Sequence, residues 1–544
     1  MTTLLSSFSK KAGWLATLGL SVVIGCQPPA TATQPADNPT ATAVTPEPAA
    51  PATPTAPPIP NPVLPGDFPD PSVTKVGTNY WATATSSNWG PVFPLLKSDN
   101  LTDWKIVGHV FPEMPPSWAD YYFWAPEINQ DNGKTYVYYS AHKKGGNLAV
   151  GVASADRPEG PYRDHGFLVG QPAGSIDGFP MRDEKGQLYL VWKEDGNSVK
   201  EPTPIWAQRL NEERTALTGE KTELFRNTAP WEGNLVEGVA MVRHNDYFYA
   251  FYAANGCCGS GCTYATGVAR AKNLLGPWEK YDKNPILTPN DTWKCPGHGT
   301  VVQHDNRWYF LHHAYKNEGF QNIGRQGVLS EFTWNAEGWP EFTGGSTPAT
   351  QTANLEQYDV TDEFEGPALG LAWQWPVTAK PKIAVREGKL QLTARPEVAG
   401  AMLGQTTYTT NYIATTQLDP TTLPTGVQAG LTTIGNVENT LALTAGGGKL
   451  RLWQLKKGKR ENMGEVALPK GKNLTLRVQA EGGNKYRFAY SPDGGQTWQN
   501  MPASGDAIDG SFLPPWDLGV RVGVLAQGPS SATVAFDRFT LDNQ

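Results

Sequence analysis

The sequence predicts an all-β chain, a five-bladed β-propeller followed by a β-sandwich, and three patterns carry that expectation. A short unit recurs five times between Asp70 and His313: an ionisable residue, an apolar run, a polar turn and then an aromatic strand. The units open at Asp70, Glu127, Asp177, Glu237 and His298, which lie 57, 50, 60 and 61 positions apart, a period that holds a blade of four short strands with its loops. Beyond Leu355 the pattern changes to period-two alternation broken by Gly, Pro and Asn turns, the signature of an antiparallel sandwich.

In chain order the first element is an export signal. Lys10 and Lys11 precede an apolar segment from Ala12 to Ile24, which is too short to span a bilayer. Val23-Ile-Gly-Cys26 resembles a bacterial lipobox, so residues 1–26 read as a lipoprotein signal peptide with Cys26 as the lipidated residue. A cleaved signal without lipid is the plainer alternative. Residues 27–60 are Pro, Ala and Thr with almost no large apolar side chain, which describes a disordered tether. The expected product is an exported protein held at the bacterial cell envelope by a lipid anchor.

Residues 61–347 contain the five repeats and form the expected propeller. Its aromatic strands include Tyr136-Val-Tyr-Tyr139, Tyr247-Phe-Tyr-Ala-Phe-Tyr252 and Trp308-Tyr-Phe-Leu-His-His313. Residues 355–544 form the expected sandwich, with alternating runs such as Lys389-Leu-Gln-Leu-Thr393 and Lys449-Leu-Arg-Leu-Trp453. Within it, Ser491-Pro-Asp-Gly-Gly-Gln-Thr-Trp498 resembles the Asp-box of sialidases, but it occurs once and outside the repeat, so it reads as a hairpin turn. Asp362 and Asp537 are candidate oxygen ligands for a structural Ca²⁺, with solvated strand-end carboxylates as the simpler reading.

A net charge of -7 argues against nucleic acid or another polyanion as the partner. The 19 Trp, 20 Tyr and 19 Phe suit both propeller packing and stacking on a neutral sugar. With Cys26 set aside, Cys257, Cys258, Cys262 and Cys295 remain, an even number in an exported chain. They predict two disulfides with three connectivities open; zinc is disfavoured because Gly-Cys-Cys-Gly-Ser-Gly-Cys lacks paired C-x-x-C spacing.

In a propeller the innermost strand of each blade runs beside the axis, so equivalent positions form a ring. Two Asp, two Glu and one His are thereby expected to converge at one mouth. Any one of them reads alone as a turn-capping or solvated residue, but burying all five together is costly and is tolerated mainly at functional sites.

The motifs Phe-Pro-Asp70-Pro-Ser, Trp124-Ala-Pro-Glu127, Ile-Asp177-Gly-Phe-Pro, Val-Glu237-Gly, Pro-Gly-His298-Gly, Gly-Arg325-Gln and Gly-Trp-Pro340 together resemble glycoside hydrolase family 43. That family consists of five-bladed propeller enzymes acting on arabinose- and xylose-containing polysaccharides. The resemblance implies Asp70 as general base, Glu237 as general acid and Asp177 as the carboxylate that orients the acid and tunes its pKa. It also implies that Arg325 pairs with Asp177 or contacts sugar, and that His298 stands at the propeller axis, with no cofactor needed for catalysis. Trp89 and Trp124 are candidates for substrate binding. Val239-Ala240 departs from the family pattern, where Pro and an aromatic or His are common. The C-terminal region is similar to the concanavalin-like domain found after some family propellers. The expected activity is inverting removal of arabinofuranose or xylose units. An endo-acting arabinanase and a non-catalytic carbohydrate-binding surface lipoprotein are the alternatives.

Overall fold

The computed structural model describes residues 59–345 and 356–544. The expected signal peptide over residues 1–26, the lipidation candidate Cys26 and nearly all of the expected tether lie outside them. Five antiparallel four-stranded sheets follow one another along the chain, built from consecutive strands except in the first, where the short strand Trp89–Gly90 leaves the sheet. Their innermost strands are Ser72–Val76, Trp124–Asp131, Ser175–Arg182, Val236–His244 and Trp293–His304. The aromatic runs form the second strand of each blade, where they pack between neighbouring sheets. Phe93 and Phe111 meet Tyr139 of the second blade, and Phe251 of the fourth stacks on Phe310 of the fifth. Such contacts bury the largest side chains between blades and fix their spacing.

Ring closure falls to the segment before the first blade. Leu64 pairs with Gly327, Asn61 exchanges two hydrogen bonds with the backbone of Leu329, and the Phe68 amide donates to the Arg325 carbonyl. The chain's early residues thus lie along strand Arg325–Trp334 of the last blade.

The C-terminal part is a sandwich of a seven-stranded and a six-stranded antiparallel sheet. Alternation behaves as the sequence suggests: in Lys389–Thr393, Leu390 and Leu392 are buried and their neighbours half-buried. Ser491–Trp498 is a turn in which Asp493 accepts from the amides of Gln496 and Thr497. The two calcium candidates are engaged otherwise. Asp362 accepts from the Phe364 amide and the Trp373 indole, while Asp537 pairs with Lys389. Among the described residues no group of three His, Cys, Asp or Glu side chains could hold a metal ion.

Propeller and sandwich share a polar seam. Arg521, fully buried in the sandwich, donates to Asp67 Oδ2 at 2.5 Å, and the Gly519 amide donates to the same oxygen at 2.8 Å. Trp375–Pro376 pairs with Trp89–Gly90 as a two-stranded ribbon. Trp89 is therefore consumed by the interface: it is 3% exposed, packs with Met402, Ile434 and Trp453, and lies under the Arg521 guanidinium. It packs against the sandwich and does not line the cavity that gathers Asp70, Asp177 and Glu237, contrary to the expectation from the sequence.

Asp67→Ala tests the seam. Removing one partner leaves the Arg521 charge buried and uncompensated, which costs about 3–5 kcal/mol. Urea unfolding of Asp67→Ala is expected to show a loss of that size, with an early transition for the sandwich.

Candidate active site

The inner strands do not run straight into the axis. Four of the five inner ladders slip near their start, between Trp124 and Glu127, Ile176 and Phe179, Glu237 and Ala240, and around Gly297, while that of the first blade is regular. At these bulges the backbone turns left-handed: Ala125, Asp177, Gly238 and His298 have φ of 45°, 59°, 60° and 42°, and Asp70 at the head of the first strand has 50°. A bulge adds one residue and re-aims the side chains around it. Non-glycine residues held there are strained, a feature that clusters at functional sites. Glycine is required at 238, since a Cβ would lie 2.8 Å from the His298 ring.

These bulges bring Asp70, Asp177, Glu237, His298, Arg325 and Trp124 onto one cavity of about 330 Å³. Glu127 does not join them. The bulge in its strand is centred on Ala125, so Ala125 takes the ring position and lines the cavity. Glu127 instead faces across the axis and accepts from Thr300 Oγ1 at 3.0 Å. The expected five-membered ionisable ring is thus a four-membered one with an alanine in the fifth place.

Asp70 accepts from Thr85 Oγ1 at 2.6 Å and from Arg325 Nη1 at 2.7 Å, and its own amide donates to His313 Nδ1 at 3.1 Å. Burial alone would push its carboxyl up, but the charges of Arg325 and His298 and the His313 contact outweigh it and hold Asp70 far below the usual carboxylate range. It is ionised at any working pH. Arg325 thus pairs with Asp70 and not with Asp177 as expected. The reason is topological: strand Arg325–Trp334 lies in the last blade, beside the closing segment that carries Asp70, whereas Asp177 belongs to the third.

Asp177 accepts from the Gly238 amide at 2.8 Å, and His298 Nδ1 lies 4.0 Å from its Oδ2 and 3.6 Å from Asp70. Burial and the neighbouring Glu237 charge push Asp177 up to about 6 against the pull of His298 and Lys193. Glu237 is held at both oxygens: Lys193 Nζ donates to Oε2 at 2.5 Å and Tyr264 donates to Oε1 at 2.8 Å. Burial opposes charge on Lys193, yet Glu237 and Asp195 keep its ammonium above the usual range. The Tyr264 ring stacks on His313, interplanar angle 5°, so the supports of Asp70 and Glu237 touch. Burial pushes His313 down to about 3, which keeps the imidazole neutral.

The remaining wall comes from the sandwich. Trp516 and Asp517 line the cavity, Asp517 accepting from Ser87 and Trp124 and offering its carbonyl to Arg325 Nη2. Trp516 is 51% exposed and meets Trp124 edge to face. Sequence reasoning missed Lys193, Tyr264, His313 and this loop. Lys193 directly follows the aromatic run of its blade and His313 closes that of the fifth, so comparing the ends of these runs would have exposed both. Nothing local marks Trp516.

A propeller whose mouth gathers three carboxylates, a histidine and an arginine beside aromatic walls is the architecture of a carbohydrate-active protein. The model described as "Glycosyl hydrolases family 43" matches residues 59–340, and that described as "Beta xylosidase C-terminal Concanavalin A-like domain" matches residues 361–542. The chain belongs to glycoside hydrolase family 43. It is 27% identical over 361 residues to a non-reducing end alpha-L-arabinofuranosidase of Bacteroides ovatus, covering 59% of this chain and 63% of that protein. It is 28% identical over 381 residues to a xylan 1,3-beta-xylosidase of Vibrio sp, covering 62% and 68%. In fold it is similar to the xylan beta-1,4-xylosidase from Bacillus halodurans C-125, with a TM-score of 0.77 at 21% identity over 89% of this chain and 100% of that one. It is likewise similar to a Bacillus licheniformis family 43 protein, with a TM-score of 0.75 at 24% identity over 89% and 100%.

Glu127 supplies a pH test independent of activity. Burial pushes its carboxyl from 4.5 up to about 8, so the folded state holds the proton more tightly than the unfolded one. Its stabilisation is complete below the unfolded value and lost as pH rises through the folded one. Relative to Glu127→Gln, the wild-type Tm is expected to fall steadily between about pH 5 and about pH 9; parallel Tm curves would contradict this.

Proposed function

We propose that this chain is an exo-acting, inverting glycoside hydrolase that removes xylose or arabinofuranose units from the ends of plant-type polysaccharides or their oligosaccharides. The observation that carries the reading is the cavity: a carboxylate held ionised and a carboxyl held between a lysine and a tyrosine enter it from different blades, and a loop of the sandwich closes one side. A volume of about 330 Å³ is at the small end for ligand pockets, which suits a chain terminus. The endo-arabinanase alternative needs an open groove, and Trp516 stands in its path. A purely binding protein has no use for Asp70, Asp177 and Glu237 in one desolvated site. The relatives named as xylosidases and arabinofuranosidases agree with either pentose.

In this mechanism Asp70 takes a proton from the attacking water, while Arg325 and His313 fix its orientation. Glu237 gives a proton to the leaving oxygen, positioned by Tyr264 and Lys193. Asp177 stands beside the acid and accepts from the Gly238 amide, the residue next to Glu237, so it orients the strand start that carries the acid. His298, between Asp70 and Asp177, faces the sugar, and Trp124 supplies an aromatic face.

Inversion fixes the outcome of a direct measurement. Proton NMR of early products from a β-xyloside is expected to show the α anomer first, and retained configuration would overturn the mechanism. Glu237→Ala should lose far less activity on a dinitrophenyl glycoside than on an oligosaccharide, because a good leaving group needs no proton. Asp70→Ala should lose about 10²–10⁴-fold on both. Monosaccharide as the sole early product from an oligosaccharide supports exo action; internal fragments would favour the arabinanase reading.

The lipobox-like Val23-Ile-Gly-Cys26 and the Pro/Thr-rich stretch after it support a further part of the proposal, an envelope-anchored, exported form in which acyl chains on Cys26 contribute about 0.8 kcal/mol per buried methylene. Cys26→Ser is expected to abolish labelling by radioactive palmitate and to release the protein from the membrane fraction. Unchanged labelling and fractionation would refute the anchor.

A further inference from the structure

One motif has no part in the mechanism above. Gly256-Cys-Cys-Gly259 follows strand Tyr247–Ala254 of the fourth blade, and its two adjacent cysteines are bonded to each other, while Cys262 is bonded to Cys295. The second bridge plays an evident structural part, stapling the base of the loop to the strand that carries His298. Thr263 and Gly256 exchange hydrogen bonds and the Cys262 amide donates to the Gly259 carbonyl, so the loop is already closed behind its tip. The Cys257–Cys258 bridge ties nothing distant together. As a cross-link between neighbours it closes almost no chain, so the usual gain from constraining the unfolded state is missing.

Its position gives it a different use. Both cysteines are half-buried and line the cavity with Asp70, Glu237 and Trp516. Cys257 Sγ lies 3.7 Å from Arg325 Nη1, the nitrogen that also holds Asp70 at 2.7 Å. On the far side the loop abuts the sandwich, since a Cβ on Gly259 would stand 3.3 Å from the Trp516 carbonyl. The disulfide therefore occupies the cavity wall between the arginine that holds the base and the tryptophan that closes the mouth.

We infer that the Cys257–Cys258 disulfide is a substrate-contacting wall of this pocket, an apolar plate that receives the C–H face of the terminal sugar, and that binding there depends on its redox state. This rests on reading the cavity as the sugar site. A disulfide is compact, polarisable and without a hydrogen-bond donor, so it accepts ring C–H groups and leaves any hydroxyl turned toward it unpaired. The hydrogen-bonding side of the cavity, Asp70, Asp177, Glu237 and Arg325, then takes the hydroxyl edge. Reduction converts the plate into two thiols that need not stay together. With a phosphine as reductant, the S–S bond breaks, each sulfur ends as S–H, and the phosphine leaves as its oxide with the oxygen of one water.

The test compares wild type and Cys257→Ala/Cys258→Ala, each with and without tris(2-carboxyethyl)phosphine. The readouts are Kd for D-xylose and L-arabinose from tryptophan fluorescence, kinetics on nitrophenyl β-xyloside and α-L-arabinofuranoside, and Tm. Reductant is expected to raise wild-type Kd and KM for the preferred sugar by about 10-fold or more, the scale of one lost apolar contact, with kcat within about threefold, the pattern of lost uniform binding. The double variant should show the raised values from the start and no further response to reductant. An equal response in the variant would assign the effect to Cys262–Cys295 and overturn the inference, as would unchanged Kd after reduction verified by peptide mapping. A fall in Tm and kcat together with unmoved Kd would mark a structural role and overturn it too. If oxidised wild type binds pentose but hydrolyses neither glycoside, the hydrolase reading fails while the Kd comparison still decides the inference.

Discussion

The geometry of the mouth rests on a backbone constraint more than on any single side chain. A regular strand alternates its residues between the two faces of a blade, so a straight inner strand would point every second residue into the next blade and none along the axis. The left-handed residue at the head of each inner strand breaks that alternation and turns the chain's first side chains toward the centre. The cost is local strain at Asp70, Asp177 and His298, and the contacts that hold these residues are the ones that define the site: the Arg325 pair and Thr85 hydroxyl on Asp70, and the Gly238 amide on Asp177.

That constraint also explains what was legible in the sequence. Five aromatic strands at a steady period are a global pattern from which the blades follow, as the sandwich follows from the period-two alternation beyond Leu355. The motif residues Asp70, Asp177, Glu237 and His298 were visible because each sits in a short run of Gly, Pro and apolar residues at a left-handed strand start, and Arg325 through its own Gly-Arg-Gln run. The alignment of the repeats was misread by small steps: Glu127 stands two places after the ring position of its blade, and Glu237 one place before. One residue is a whole face in a strand, and ionisable character in Glu127 drew attention away from the alanine that occupies the ring. Trp89 failed for a different reason, since an aromatic that packs a domain interface has the same local sequence as one that stacks on sugar.

Electrostatics in the cavity is organised as two cation-supported carboxylates with a third between them. Arg325 and Lys193 are both buried, and each is paired with carboxyl groups, Asp70 in one case and Glu237 with Asp195 in the other. Breaking either pair would strand a charge in low dielectric, so these contacts are rigid without being large net contributors to stability. Rigidity suits the proposed mechanism, which needs its donor and acceptor oxygens fixed before substrate arrives.

The segment from Asn61 to Asp70 closes the ring, carries Asp67 to the sandwich and presents Asp70 to the cavity. The Asp67–Arg521 contact joins residues 454 positions apart. A chain emerging from the ribosome N-terminus first therefore exposes this segment long before its partners exist. Arg325 and the loop around Trp516 arrive only when most of the sequence has been made. Contacts of such long sequence separation are slow to form, so the cavity is complete only when segments from both domains have met: Asp70 waits for Arg325, and Arg325 for the Asp517 carbonyl.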